Sequence, residues 1–122
     1  MIKMSFAVYR RPELTREAFL AYWRDVHGPL IARHAELLRI RRYVQLHGIE
    51  GPLVEQMVRT RGCAPAHDGV AQVWWDSEQD RMEALQTPEA QAAIAEIKAD
   101  EDRFVDMSRS SPVFGVEHVV VG

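Results

Sequence analysis

Tyr22-Trp23-Arg24-Asp25-Val26-His27-Gly28-Pro29-Leu30 lies in the middle of a helical pattern and carries the one pair of residues that should disturb it. Phe19, Tyr22, Trp23, Val26 and Leu30 recur at i, i+3, i+4, i+7 and i+11, which places them on one face of a helix. Thr15 is a suitable N-cap, and Glu17 suits the positive end of the helix dipole. Gly28-Pro29 interrupts the pattern. Proline lacks a backbone N–H and clashes with the preceding turn, so the helix should kink or restart there. Leu30, His34, Leu37 and Leu38 then resume the stripe.

Outward on both sides the period falls to two. Ile2, Met4, Phe6 and Val8 alternate with Lys3, Ser5, Ala7 and Tyr9, a strand ended near Pro12. Ile40 to His47 alternates again and stops at Gly48. Strand, helix and strand with short joins form a crossover unit whose two strands run parallel. Val70 to Trp75 is expected as a third strand, with the Asp76-Ser77 pair capping the next helix and Asp76 and Gln79 in a capping-box pattern. Thr87-Pro88 opens a further helix with Ala92, Ala93, Ile94 and Ile97 on its apolar side. Pro112 introduces a fourth strand, Val113 to Val121, and Leu53 to Arg59 could form a short helix within the irregular stretch 50–68. The order βαββαβ defines one α+β, ferredoxin-like domain over residues 1–122, a four-stranded antiparallel sheet with helices on one face. The other face would be bare, and a symmetric homodimer, sheet against sheet, is the simplest cover for it.

At 122 residues and 47% hydrophobic, the chain is long and apolar enough for one folded core. No apolar run approaches the roughly 18–20 residues that span a bilayer, and the N-terminus lacks the apolar stretch of a signal peptide. A cytoplasmic location without membrane contact is expected. Residues 1–61 hold 11 Lys/Arg and 6 Asp/Glu (+5), whereas residues 62–122 hold 4 and 12 (−8). The basic residues are scattered singly and lack interleaved aromatics, which argues against a nucleic-acid partner. The two halves should instead neutralise each other within one fold or across a dimer. The single cysteine, Cys63, can form neither an internal disulfide nor a multi-thiolate zinc site.

His27 stands out as a candidate acid or base. Beside a helix break it lies near unpaired carbonyls, which can fix its tautomer, and Gly28 would let a substrate approach the backbone. The alternative is a histidine that bonds a carbonyl and locks the helix to the sheet. His34 shares the His27 face but lies roughly 10 Å further along, too far for a shared metal ion; it is either a pocket residue or a core-edge histidine. Tyr43, Gln45 and His47 point the same way from strand two and cannot all sit unpaired in a dry core. They would line a polar-rimmed cavity, with His118 of strand four facing it, or form a solvated or interfacial face. Trp74 and Trp75 must face opposite ways. One is core and the other, with Tyr22 and Trp23, a candidate for the pocket wall. Cys63, His67 and Asp68 fall together without an oxyanion-hole signature. No P-loop, GxGxxG or HExxH occurs, so neither a metal nor a cofactor is implied.

These segments together resemble the EthD family of dimeric α/β-barrel proteins. The resemblance is carried by Leu14 to Phe19 leading into the Tyr-Trp-x-x-x-His-Gly-Pro-Leu run at 22–30, by Arg41 to His47, by Asp68 to Asp76, and by Asp100 to Ser108. It implies a ferredoxin-like protomer whose sheet packs on that of a second copy, with a ligand cavity between each sheet and its helices. Relatives of this type include cofactor-free dehydratases and decarboxylases of aromatic polyketides, and the wider superfamily includes cofactor-independent monooxygenases and isomerases. By that resemblance His27 leads the catalytic candidates, followed by Tyr43 and His47, with Trp75 among the pocket residues. The expected activity is cofactor-free lyase or isomerase chemistry on a small apolar or aromatic oxygenated molecule. A cofactor-independent monooxygenase and a non-catalytic accessory protein of an oxidative catabolic pathway are the alternatives.

Overall fold

A computed structural model describes residues 1–122. The chain runs β1 (Ile2–Val8), α1 (Arg16–Tyr22), a π turn (Trp23–His27), α2 (Gly28–His34), β2 (Arg42–His47) and α3 (Pro52–Arg61). It continues with β3 (Gly69–Trp75), α4 (Glu78–Ala84), α5 (Pro88–Glu101), a 3-10 turn (Met107–Arg109) and β4 (Ser111–Gly115). The sheet order is β2-β3-β1-β4 and every neighbouring pair is antiparallel. β1 and β2 therefore run the same way with β3 between them, which is the split crossover expected of a ferredoxin-like fold.

Register sorts the side chains. Met4 of β1 faces Val73 of β3, which in turn faces Tyr43 of β2, and Phe6 faces Ala71. These residues, with Val8 and Trp75, form the face covered by helices. Two apolar clusters fill that layer. Phe19, Trp23, Phe104, Val105 and Val8 pack at one end. Leu30, Ile31, Leu38, Ala90, Ala93 and Ile97 join α2 to α5 at the other. The opposite face carries Leu46 and Val113, 54% and 63% exposed, together with Trp74 held between Lys3 and Arg42. No helix is long and apolar enough to cross a membrane.

The basic and acidic halves are wound together. Arg10 and Arg16 meet Asp68, Arg33 meets Glu96, Arg39 meets Asp80, and Arg41 meets Asp76. Each pair joins residue types from opposite halves, so the segregation along the chain becomes neutralisation in space.

Four local expectations need correction. β4 ends at Gly115, not Val121, because no strand lies beside the tail; Val119, Val120 and Val121 are 78–94% exposed. β-branched composition favours a strand but cannot supply its neighbour. Pro112 lies inside β4, which is tolerated because β4 is an edge strand. Ser77, not Asp76, caps α4 by accepting the Asp80 N–H at 2.9 Å, while Asp76 pairs with Arg41. Finally, Val26 is 47% exposed rather than core. The cause is the π turn.

Candidate active site

The π turn follows from Gly28-Pro29. In a regular helix the Pro29 ring would clash with the carbonyl four residues earlier, and its missing N–H would leave an acceptor unpaired. The chain widens instead, and the Gly28 N–H donates to the Trp23 carbonyl, five residues back. A wider turn rotates less per residue, so the inward position after Trp23 falls on His27 and Val26 turns to solvent. The Gln45 side-chain amide donates to the same Trp23 carbonyl at 2.8 Å and fixes the turn to the sheet. A Cβ on residue 28 would lie 3.2 Å from that Gln45 nitrogen. Gly28 thus admits Gln45 to the turn, rather than a substrate to the backbone as its sequence suggested.

His27 is buried and its Nδ1 lies 2.8 Å from Oδ2 of Asp100 on α5. Asp100 also accepts hydrogen bonds from the Tyr22 hydroxyl and from Arg103 Nη1. Burial alone would raise the Asp100 pKa, but the donors Tyr22, His27 and Arg103 outweigh it and hold the carboxyl below its usual range. For His27 burial wins: it pulls the imidazole pKa down, with Asp100 offsetting only part. The imidazole is therefore neutral at pH 7, its proton sits on Nδ1 facing the carboxylate, and Nε2 keeps its lone pair.

His27 belongs to the wall of a cavity of about 350 Å³ between sheet and helices. Sixteen of the twenty lining residues are hydrophobic, which makes the other four conspicuous: His27, Glu101, Arg81 and Lys98, joined by the hydroxyl of Tyr43. Glu101 projects from the last turn of α5 and has no ion-pair or hydrogen-bond partner among the protein's side chains. Burial, seconded by the nearby Asp102 charge, pushes its carboxyl up to about 7. Lys98 works against that shift, but its ammonium is engaged 3.2 Å from Asp102. Burial also raises the Tyr43 phenol, so that hydroxyl stays protonated and accepts from Gln45 at 3.1 Å.

Of the residues singled out from sequence, the structure gathers His27, Tyr43, Trp23 and Trp75 around the cavity and places four outside it. Tyr22 lies behind Asp100, to which it donates. His47 stacks on the far face of Trp23, rings 4.8 Å apart, and its Nε2 bonds Gln45 Oε1. That stacking and the Trp23 ring itself separate it from the cavity. His34 shares the α5-facing side with His27, as its spacing predicts, but meets Glu96 at the surface. His118 lies in the exposed tail beyond β4 and faces nothing inward. Cys63 is exposed, His67 packs against Tyr9, and Asp68 is bound by arginines. No three His, Cys, Asp or Glu side chains converge in a way that could hold a metal ion.

Sequence reasoning missed Asp100, Glu101 and Arg81. A signal for the first two was present. The inward positions Ala90, Ala93 and Ile97 of α5 are spaced so that the next falls at 100 or 101, where two acids stand in place of core residues.

Comparison with known proteins bears on this geometry. Among solved structures, an ethyl tert-butyl ether D (EthD) family protein from Bacillus halodurans C-125 superposes with a TM-score of 0.62 at 18% identity, covering 97% of this chain and 100% of that one. An EthD-like protein from Ralstonia eutropha JMP134 gives a TM-score of 0.56 at 24% identity, covering 98% and 93%. A dimeric protein of unknown function and ferredoxin-like fold from Bacteroides fragilis NCTC 9343 gives 0.59 at 13% identity, with 95% of each chain covered. No curated protein matches the sequence. The EthD domain model matches residues 11–108, from the start of the α1 segment through Asp100 and Glu101 to the 3-10 turn. By that match the chain belongs to the EthD family.

Proposed function

We propose that this protein is a cofactor-free acid–base catalyst, a lyase or isomerase acting on small, largely apolar or aromatic oxygenated molecules. The observation that carries the reading is His27 in the wall of an apolar cavity, paired behind that wall with the buried Asp100. Asp100 holds the Nδ1 proton, so Nε2 is the basic nitrogen, and burial keeps it unprotonated near neutral pH. The base removes a proton from carbon next to a carbonyl, whose oxygen takes a hydrogen bond from the Tyr43 hydroxyl. In a dehydration, the C–H electron pair becomes the new C=C bond as the β C–O bond breaks. Glu101, half-protonated near neutral pH, gives its proton to the departing hydroxyl, which leaves as water. In an isomerisation a proton returns at another carbon instead.

The experiment is proton exchange of 2-tetralone in deuterated buffer, followed by NMR. The full chain is expected to accelerate α-proton exchange above an equal concentration of imidazole. His27→Ala should remove roughly 10²–10⁴-fold of that acceleration. Exchange no faster than with free imidazole, or unchanged in His27→Ala, overturns the reading. Oxygen uptake with a phenolic substrate would instead assign the same base to phenol ionisation in a monooxygenase.

The functional unit in this proposal is a homodimer joined through the outer sheet face. Support comes from exposed Leu46 and Val113 on that face and from the Bacteroides neighbour, which is itself described as dimeric. Sedimentation should give twice the chain mass, and Leu46→Glu should shift it to a monomer.

A further inference from the structure

Arg81 is the cavity's unexplained cation. It projects from α4 beside Trp75, its guanidinium carbon 5.0 Å from the Trp75 ring centre and 5.1 Å from that of Phe114. Arg33, Arg39 and Arg41 each meet an acid, whereas Arg81 makes no ion pair, and its buried Nε has no acceptor. A guanidinium held beside two stacked aromatic rings at the edge of an apolar cavity, with a buried Nε that lacks an acceptor, leaves hydrogen-bonding capacity unmet. The arrangement becomes favourable when a planar anion supplies two oxygens.

Position separates this group from the proton-transfer end. The Trp23 ring abuts Gly69 at the start of β3, and His27 lies on the same π turn as Trp23. Trp75 is the last residue of β3, six positions from Gly69, or about 20 Å along the strand. The charges that act on Glu101 are Asp102, Lys98 and Asp100, not Arg81.

We propose that Arg81 binds a carboxylate of the ligand, so that the cavity takes aromatic acids held with the acid group against Trp75 and the apolar body lying along the sheet on the side of His27. This rests on the acid–base reading for the reaction, but the binding claim is tested without turnover. Isothermal titration of the full chain with naphthalene-2-carboxylate and with its methyl ester is the experiment. The acid is expected to bind at least tenfold more tightly than the ester. Arg81→Gln should abolish that preference with ester affinity unchanged, which also reports an intact cavity, and Arg81→Lys should retain part of it. Acid and ester behaving alike with the parent chain, including no binding of either, overturns the proposal. So does an equal loss for both ligands in Arg81→Gln. His27→Ala should keep the acid preference, so a failed exchange assay beside a preserved preference would strike the chemistry and spare the anion site.

Discussion

Two carboxylates are equally deep in this protein and are used in different ways. Asp68 and Asp100 are 5% and 3% exposed, and each accepts three hydrogen bonds. The donors to Asp68 are the Arg10 backbone N–H, Arg10 Nη1 and Arg16 Nη1, at 2.8, 2.6 and 3.0 Å. Its negative charge is met by two permanent cations, and the cluster ties β1, α1 and the segment before β3 together. Asp100 receives one cation, Arg103, one phenol and one imidazole that burial keeps neutral. The first arrangement spends every donor on holding the chain. The second leaves one nitrogen, His27 Nε2, with a lone pair and a cavity beside it. What separates the two buried acids is the titratability of their partners, not depth or the number of bonds, and the proposed chemistry rests on that difference.

That comparison can be broken in three ways. Asp68→Asn should cost about 1–3 kcal/mol of stability, because it removes the charge that the half-buried Arg16 and the more exposed Arg10 share, yet leave the pH dependence of exchange where it was. Urea unfolding and the exchange profile measured together would check both halves. Asp100→Asn should lower catalysed exchange roughly 10²-fold by releasing the Nδ1–H tautomer. Because Asp100 raises the His27 pKa, its loss should also move the acid limb of the remaining activity to lower pH. An acid limb that stays in place or moves upward would dissociate Asp100 from the base.

Glu101→Gln has the smallest expected effect on the fold, and its sign depends on pH. With a folded pKa of about 7 against an ordinary 4.5, Glu101 binds more protons in the folded chain than in the unfolded one. Its ionisation therefore penalises folding as pH rises through 7. The Gln variant should unfold at a higher temperature than the parent chain at pH 8 and near the same temperature at pH 5. His27 runs oppositely: its pKa is depressed on folding, so the stability it allows is lost as pH falls below its unfolded value, about 6.5. Thermal melts across that range would separate the two contributions.

How much of this was legible beforehand follows from where the determinants lie. Strand alternation and the stripe around Trp23 are local, and they yielded the βαββαβ order without reference to the rest of the chain, while leaving open which of Trp74 and Trp75 faces inward and whether the Tyr43 face lines a cavity. His27 was legible because proline's effect on a helix is local too. The pairing of His27 with Asp100 spans 73 positions and leaves no periodic trace, so only the two acids on the apolar side of α5 could have hinted at it. His47 and Gln45 were read correctly as facing one way. Neither lines the cavity as Tyr43 does, because Gln45 is held at the π turn and His47 stacks on the Trp23 ring, whose placement is set by Gly69: a Cβ there would lie 2.6 Å from that ring. The valines of the tail read as a strand because propensity belongs to residues, whereas pairing belongs to neighbours.

The π turn has one more consequence. The bond from the Gly28 amide to the Trp23 carbonyl spans five residue steps, where an ordinary helix spans four. The inward aim of the imidazole is thus encoded by the length of the segment as well as by the letter at position 27. Losing one of residues 24–26 would return the turn to ordinary helical spacing and rotate the His27 side chain, with every cavity residue still present in the sequence.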